Sequence, residues 1–246
     1  MDKAASTRAD VTALFRKSDG LLGKLLASLT PEAADQLSAH ATLRDVPTGS
    51  IVVENGQVSS EIGYVIEGML GMVQVVDSLR WHIVGLLVPT DIYGRLFDGP
   101  GSYRLEALSP TKLLVFPRAE FEQVLRTHPK IERMFLVHLL DEIDAAREWL
   151  LLISGRTVVN RVASFLIILA RRARTAAQPR PITLRVPLNR MDLAHYLGAR
   201  KETLSRAFRE LEDKGILRII NSQIFEILDL EALSDASGDD LSIDEP

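Results

Sequence analysis

The chain has 246 residues, 46% of them apolar and 25% charged, with 33 Asp/Glu against 29 Lys/Arg and no cysteine. That apolar share can fill the core of one large domain or two modest ones, and it excludes a disordered chain. The missing cysteines exclude disulfides, thiol catalysis, Cys-ligated zinc and a cysteine-held iron–sulfur cluster.

Charge is unevenly placed. Residues 1–155 carry 15 Lys/Arg and 20 Asp/Glu, residues 156–226 carry 14 and 6, and the last twenty carry none and 7. A basic module between acidic segments is a candidate nucleic-acid binder, although a solvated basic surface has the same composition. The first twenty residues lack an apolar signal core. Apolar runs such as Trp149–Ile153 fall far short of the roughly 20 residues a membrane span needs. A soluble, cytoplasmic protein without membrane contact is expected.

In chain order, residues 1–20 read as a loose arm with a short helix near Asp10–Lys17. Residues 21–40 read as two short helices. Leu21, Leu22, Leu25 and Leu26 form a stripe in the first, and Thr30 caps the second ahead of Pro31. From Ala41 to Phe116 short β-rich runs alternate with turn signals such as Asn55–Gly56 and Gly99–Pro100–Gly101. That spacing predicts an all-β sandwich or barrel, because no helix-length segments separate the runs.

After Pro129, apolar residues recur at Ile131, Phe135, Leu139, Ile143, Ala146, Leu150 and Ile153, which predicts one long amphipathic helix ending near Gly155. A stripe this long favours pairing with a second copy, with packing on its own barrel as the alternative. Ser154–Arg156 is the candidate hinge. "TVVNRVASFLIILARRAR" predicts another amphipathic helix, "TAAQPRP" a linker and "ITLRVPLN" a short strand.

Residues 189–227 carry the sharpest signal. Met191, Leu193, Ala194 and Leu197 define a short helix, and Gly198 supplies a turn. A second helix then buries Leu204, Phe208 and Leu211, and a small hairpin follows Lys214–Gly215. This is the pattern of a winged helix-turn-helix, whose second helix lays its N-terminal part against base edges in the major groove. Arg200, Lys201, Glu202, Thr203, Ser205, Arg206 and Arg209 occupy that part. Arginine matches the acceptors of guanine, and a carboxylate accepts from the amino group of cytosine. Glu202 weakens purely electrostatic binding, so its place among cations makes sense if it reads a base. The bland alternative is a surface ion pair with Arg206, four residues on. Arg209, near the end of the readable face, is expected on a phosphate.

At these residues the chain resembles the Crp/Fnr family of bacterial transcription regulators. "ETLSR" matches the E-x-x-S-R of its Fnr-like branch, while "LLDEIDAAREWLLLISGRT", "RVASFLIILARR" and "GLLVPTDIYGRLF" resemble the FnrL/FixK-like group. The resemblance spans almost the whole chain. It implies an α+β fold: an N-terminal arm and a cyclic-nucleotide-binding-like jelly-roll (double-stranded β-helix) sensor domain over 1–128, a dimerisation helix over 129–155, a winged helix-turn-helix over 156–230, and an acidic disordered tail over 231–246. It further implies a homodimer in which Glu202, Ser205 and Arg206 read TTGAT within the palindrome TTGAT-N4-ATCAA, and contact with RNA polymerase from sensor-domain loops.

Two departures from the family are informative. There is no cysteine for an oxygen-sensing cluster. In the phosphate cassette of cyclic-AMP binders, Asp91 stands in the Glu place and Gly101–Ser102 where Arg-Ser belongs. Without that bidentate arginine cyclic AMP is not expected, and Arg95 and Arg104 are poor substitutes. His82 beside Trp81 is the one candidate haem ligand, a strand or surface histidine with no ligand role being the simpler reading; no metal site and no catalytic residue is expected. A cyclic-nucleotide-gated regulator, an enzyme and a non-specific architectural DNA binder are the competing classes.

Overall fold

The computed structural model describes residues 21–77, 80–97, 99–153, 156–173 and 181–238. The expected helix near Asp10–Lys17, all of the linker "TAAQPRP" but Pro181, and the hinge residues Ser154 and Gly155 lie outside them. Two compact units divide the chain at Asp144/Ala145.

The first unit opens with helices α1 (Leu21–Ser28) and α2 (Pro31–His40). As expected, Thr30 caps α2, its hydroxyl accepting from the Ala33 N–H, with Pro31 at the first position. Eight strands follow: β1 (Thr42–Val46), β2 (Ile51–Val53), β3 (Glu61–Glu67), β4 (Leu70–Asp77), β5 (Arg80–Leu87), β6 (Ile92–Tyr93), β7 (Arg104–Ala107) and β8 (Thr111–Pro117). They form two four-stranded antiparallel sheets, β1-β8-β3-β6 and β2-β7-β4-β5. This is the jelly-roll. Val65, Leu70, Leu105, Leu113 and Val115 fill a core of the barrel. Ile62, Tyr64, Leu114 and Phe116 lie in a separate cluster, with residues of α1, α2, α3 (Arg118–Thr127) and α4 (Pro129–Ile153). With cores on both faces, β3 and β8 read as near-continuous apolar runs instead of alternating.

The 25-residue helix α4 is present, but its apolar stripe divides differently from the expected one. Ile131 and Phe135 are buried in the first unit's own core, Phe135 meeting Phe121 edge-on at 5.9 Å. They are therefore not available to a partner helix. Leu139, Ile143, Ala146 and Leu150 are exposed, as are Leu136, Val137 and Leu140. The exposed residues 136, 140, 143 and 150 step by four, three and seven, a heptad seam that keeps Ile143 and Leu150 of the predicted stripe and has Leu136 and Leu140 where Phe135 and Leu139 were expected. Of Ile153 only the backbone is described. The first half of α4, to Asp144, clusters with the barrel unit, whereas the expected division set the helix apart as residues 129–155.

The second unit contains α5 (Val158–Ala173), β9 (Ile182–Arg185), α6 (Arg190–Tyr196), α7 (Lys201–Asp213), β10 (Leu217–Ile219), β11 (Ile224–Ile227) and α8 (Leu230–Ser237). The strands form an antiparallel sheet in the order β10-β11-β9. Helix α5 is the hub, with Val162, Ala163, Leu166 and Ile167 buried and with α7 and α8 packed on it. α8 corrects the expectation of a disordered tail from residue 231. Asp229 caps the helix by accepting from the Ala232 N–H at 2.9 Å, Leu233 is fully buried, and Gly238 ends it in the left-handed region. Acidic composition masked a short amphipathic helix.

Candidate nucleic-acid interface

Local chemistry sets both helices of the motif. The Asn189 side-chain oxygen accepts from the N–H groups of Met191 and Asp192, each at 2.9 Å, which starts α6. Burial pushes the Asp192 carboxyl up from its ordinary value, opposed by His195 and by the Asn189 amide. At the other end Gly198, at φ 61, reverses the chain. Its N–H donates to the His195 carbonyl at 3.0 Å, and that of Ala199 to the Ala194 carbonyl at 2.8 Å. Arg200, in extended backbone, then opens α7.

Helix α7 has two faces. Leu204, Ala207, Phe208 and Leu211 are buried at steps of three, one and three. The other face presents Arg200, Lys201, Glu202, Thr203, Arg206 and Arg209, all exposed, with Ser205 half-buried. All seven residues expected to meet DNA thus lie on one accessible surface. Among the described residues no ion pair involves Glu202, so the bland alternative of a Glu202–Arg206 pair does not form. Cationic and anionic groups are all left available to a ligand.

Several side chains that the sequence did not single out hold this surface in place. Arg190 lays its guanidinium over the Phe208 ring, 4.0 Å from the centroid, and Phe208 stacks on Phe225 of β11 at 4.8 Å. Burial pulls Arg190 below its ordinary pKa. Glu212 accepts from the Ile219 N–H at 2.8 Å and so ties the end of α7 to the hairpin. From α5, Arg161 Nη1 donates to the carbonyls of Leu197 at 2.7 Å and Gly198 at 2.8 Å, and its Nε to that of Arg156 at 3.3 Å. Arg156 in turn donates to the Ser237 carbonyl, and Asn160 to that of Ala236, at the end of α8. Arg161 lies within "RVASFLIILARR", but nothing in that string shows that its side chain meets a turn 36 residues away.

In the barrel unit, the region matching the phosphate cassette is occupied by its own contacts. Asp91 is buried and accepts from the Val88 N–H at 2.9 Å. Gly101 exchanges backbone bonds with Gln57 and Gly56. Arg95 donates to the Pro100 carbonyl at 3.0 Å, and Arg104 pairs with Glu106 at 3.2 Å. His82 is exposed on β5, opposite Gln74. Among the described residues no three His, Asp or Glu side chains converge as metal ligands, and no helix is long and apolar enough to cross a membrane.

Comparison with known proteins matches both units. Residues 43–128 match the cyclic nucleotide-binding domain and residues 160–236 the Crp-like helix-turn-helix domain. The transcriptional activator protein FnrL of Cereibacter sphaeroides is 32% identical over 200 residues, covering 80% of this chain and 81% of its own length. A probable transcriptional activator of Rhizobium leguminosarum bv. viciae is 30% identical over 214 residues, covering 86% and 88%. The solved structure of FixK2 from Bradyrhizobium japonicum has a TM-score of 0.70 at 22% identity, covers 80% of this chain and 96% of its own, and shares the fold.

Proposed function

Because the chain belongs to the Crp/Fnr family of transcription regulators, we propose that it works as a homodimeric activator that reads a TTGAT-N4-ATCAA-like palindrome and contacts RNA polymerase through its barrel unit. The observation that carries this reading is the exposed face of α7, where Arg200, Lys201, Glu202, Thr203, Ser205, Arg206 and Arg209 stand over a helix anchored on its other side. Arg206 offers a donor fork to guanine, and Glu202 accepts from a cytosine amino group. Ser205 supports either a base or a phosphate contact, and Arg209 sits where a phosphate contact is expected. The exposed heptad seam of α4 supports pairing of two copies. A two-fold dimer matches a palindrome, each recognition helix entering one half-site.

DNA binding by this protein needs neither cyclic nucleotide nor haem. In support, Gly101 stands where the phosphate-binding arginine belongs, and Arg95 and Arg104 are each engaged with neighbours. An exposed His82 supplies no enclosed pocket for haem. Fluorescence anisotropy in air, at fixed salt, on TTGAT-N4-ATCAA and on a scrambled duplex tests the whole reading. Tight binding confined to the palindrome, unchanged by added cyclic AMP or haemin, is the expected result. Equal affinity for both duplexes would show an architectural DNA binder, and selectivity that appears only with an additive would show a ligand-gated one.

A further inference from the structure

We propose that Arg161 is a positioning residue for DNA recognition: from α5 it fastens the turn between α6 and α7, and so sets the orientation at which the recognition helix meets the bases. This inference rests on the DNA-binding reading above and adds to it a residue outside the base-reading face.

Helix α6 has only seven residues, and its last carbonyls have no partner further along the helix. The turn that follows contains Gly198 in the left-handed region, with no side chain to pack it down. Backbone bonds from Gly198 and Ala199 close it on the side of α6, and the carbonyls of Leu197 and Gly198 point to a donor outside the motif. Arg161 holds the turn from outside, with Nη1 bonded to the carbonyls of Leu197 and Gly198 and Nε to that of Arg156. One rigid, planar guanidinium therefore relates three backbone points: the segment leading into α5 and two positions in the turn. Its charge also complements the carbonyl end of α6.

The two ends of α7 are then held independently. Glu212 ties the far end to Ile219, while Arg161, through the turn, ties the end that carries Arg200 to Arg206. The buried residues of α7, from Leu204 to Leu211, fix which face it turns outward, while Arg200 to Thr203 ahead of them are exposed and are led in by the turn. Reading bases demands placement within a fraction of an ångström, whereas phosphate attraction tolerates looser placement. Loss of Arg161 should therefore reduce discrimination between sequences more than it reduces affinity for DNA in general. Lysine, a point charge without the fork, satisfies fewer of the three carbonyls and should restore part of the function.

The test uses the full chain as wild type, Arg161→Lys and Arg161→Gln. Anisotropy titrations on operator and scrambled duplexes are run over a range of salt, with thermal unfolding in parallel. The expected result for Arg161→Gln is a fall of about tenfold in the ratio of operator to scrambled affinity, with Arg161→Lys between it and wild type. The salt dependence should stay at the wild-type slope. A phosphate contact predicts something different: equal weakening on both duplexes, with the slope reduced by about one. That pattern, or an unchanged ratio in the variants, overturns the proposal. Should Arg161→Gln unfold, Arg161→Lys alone decides. A wild type that fails to prefer the operator refutes the functional reading itself, and this is seen before any variant is compared.

Discussion

At the scale of single residues, Glu202 carries the most specific prediction. Its carboxylate is exposed and free of ion pairs among the described residues, so its removal costs the fold little. Near phosphates it is unfavourable unless a base donates to it. Glu202→Ala should therefore relax discrimination at one base pair by about 1–3 kcal/mol while leaving the salt slope almost unchanged. Binding measured against a set of operators substituted one position at a time checks this. Uniform tightening on every sequence would mark Glu202 as a repulsive surface charge and nothing more. Arg190 presents the opposite case. It is as cationic as Arg206 in the sequence, yet it lies over Phe208 and serves packing.

At the scale of elements, α8 and α4 each carry a consequence. Leu233 in α8 is fully buried in the second unit, and α8 packs on α5. Leu233→Ala should destabilise that unit by about 2–5 kcal/mol, read as a lower midpoint in denaturant unfolding. A disordered tail, which the charge of residues 231–246 suggested, predicts no change. On α4, Leu140 lies within the exposed seam at 61% relative exposure and has no role in the core. Leu140→Asp places a charge at the centre of the proposed dimer interface and should yield monomers in sedimentation, with the fold of each unit intact. Phe135→Asp should instead unfold the barrel unit, because Phe135 belongs to its core.

At the scale of the whole molecule, the proposed pairing would couple to DNA reading through effective concentration. Two recognition helices on one dimer bind a palindrome with far higher avidity than either binds a half-site, provided both reach together. Leu140→Asp should therefore lose most of its advantage on TTGAT-N4-ATCAA over a duplex with a single TTGAT, while wild type keeps a large one. Titration on the two duplexes measures this directly. If the variant retains the full preference, pairing does not run through α4.

The helix-turn-helix was legible because its signals are local. Asn189 caps, Gly198 turns, and Leu204, Phe208 and Leu211 recur at helical spacing, so residues close in the chain fix α6, α7 and the face α7 exposes. The run from Ala41 to Phe116 likewise announced an all-β sandwich or barrel by the spacing of its short β-rich stretches and turn signals. The sequence by itself thus determined most of the elements, the family resemblance and the face of α7 on which its polar and charged residues stand. Only the tertiary structure decided how apolar stripes and cations are used. Ile131 and Phe135 have the same helical spacing as Leu139 and Ile143, but only the barrel's position determines which pair is covered. Acidity hid the amphipathic pattern of α8, which is stable because α5 provides a surface for Leu233. Arg161 and Arg190 are two among 29 Lys/Arg in the sequence, and their partners lie 36 and 18 residues away. Local periodicity encodes which way a side chain points; what it meets depends on contacts between distant segments, and these exist only once the chain has folded.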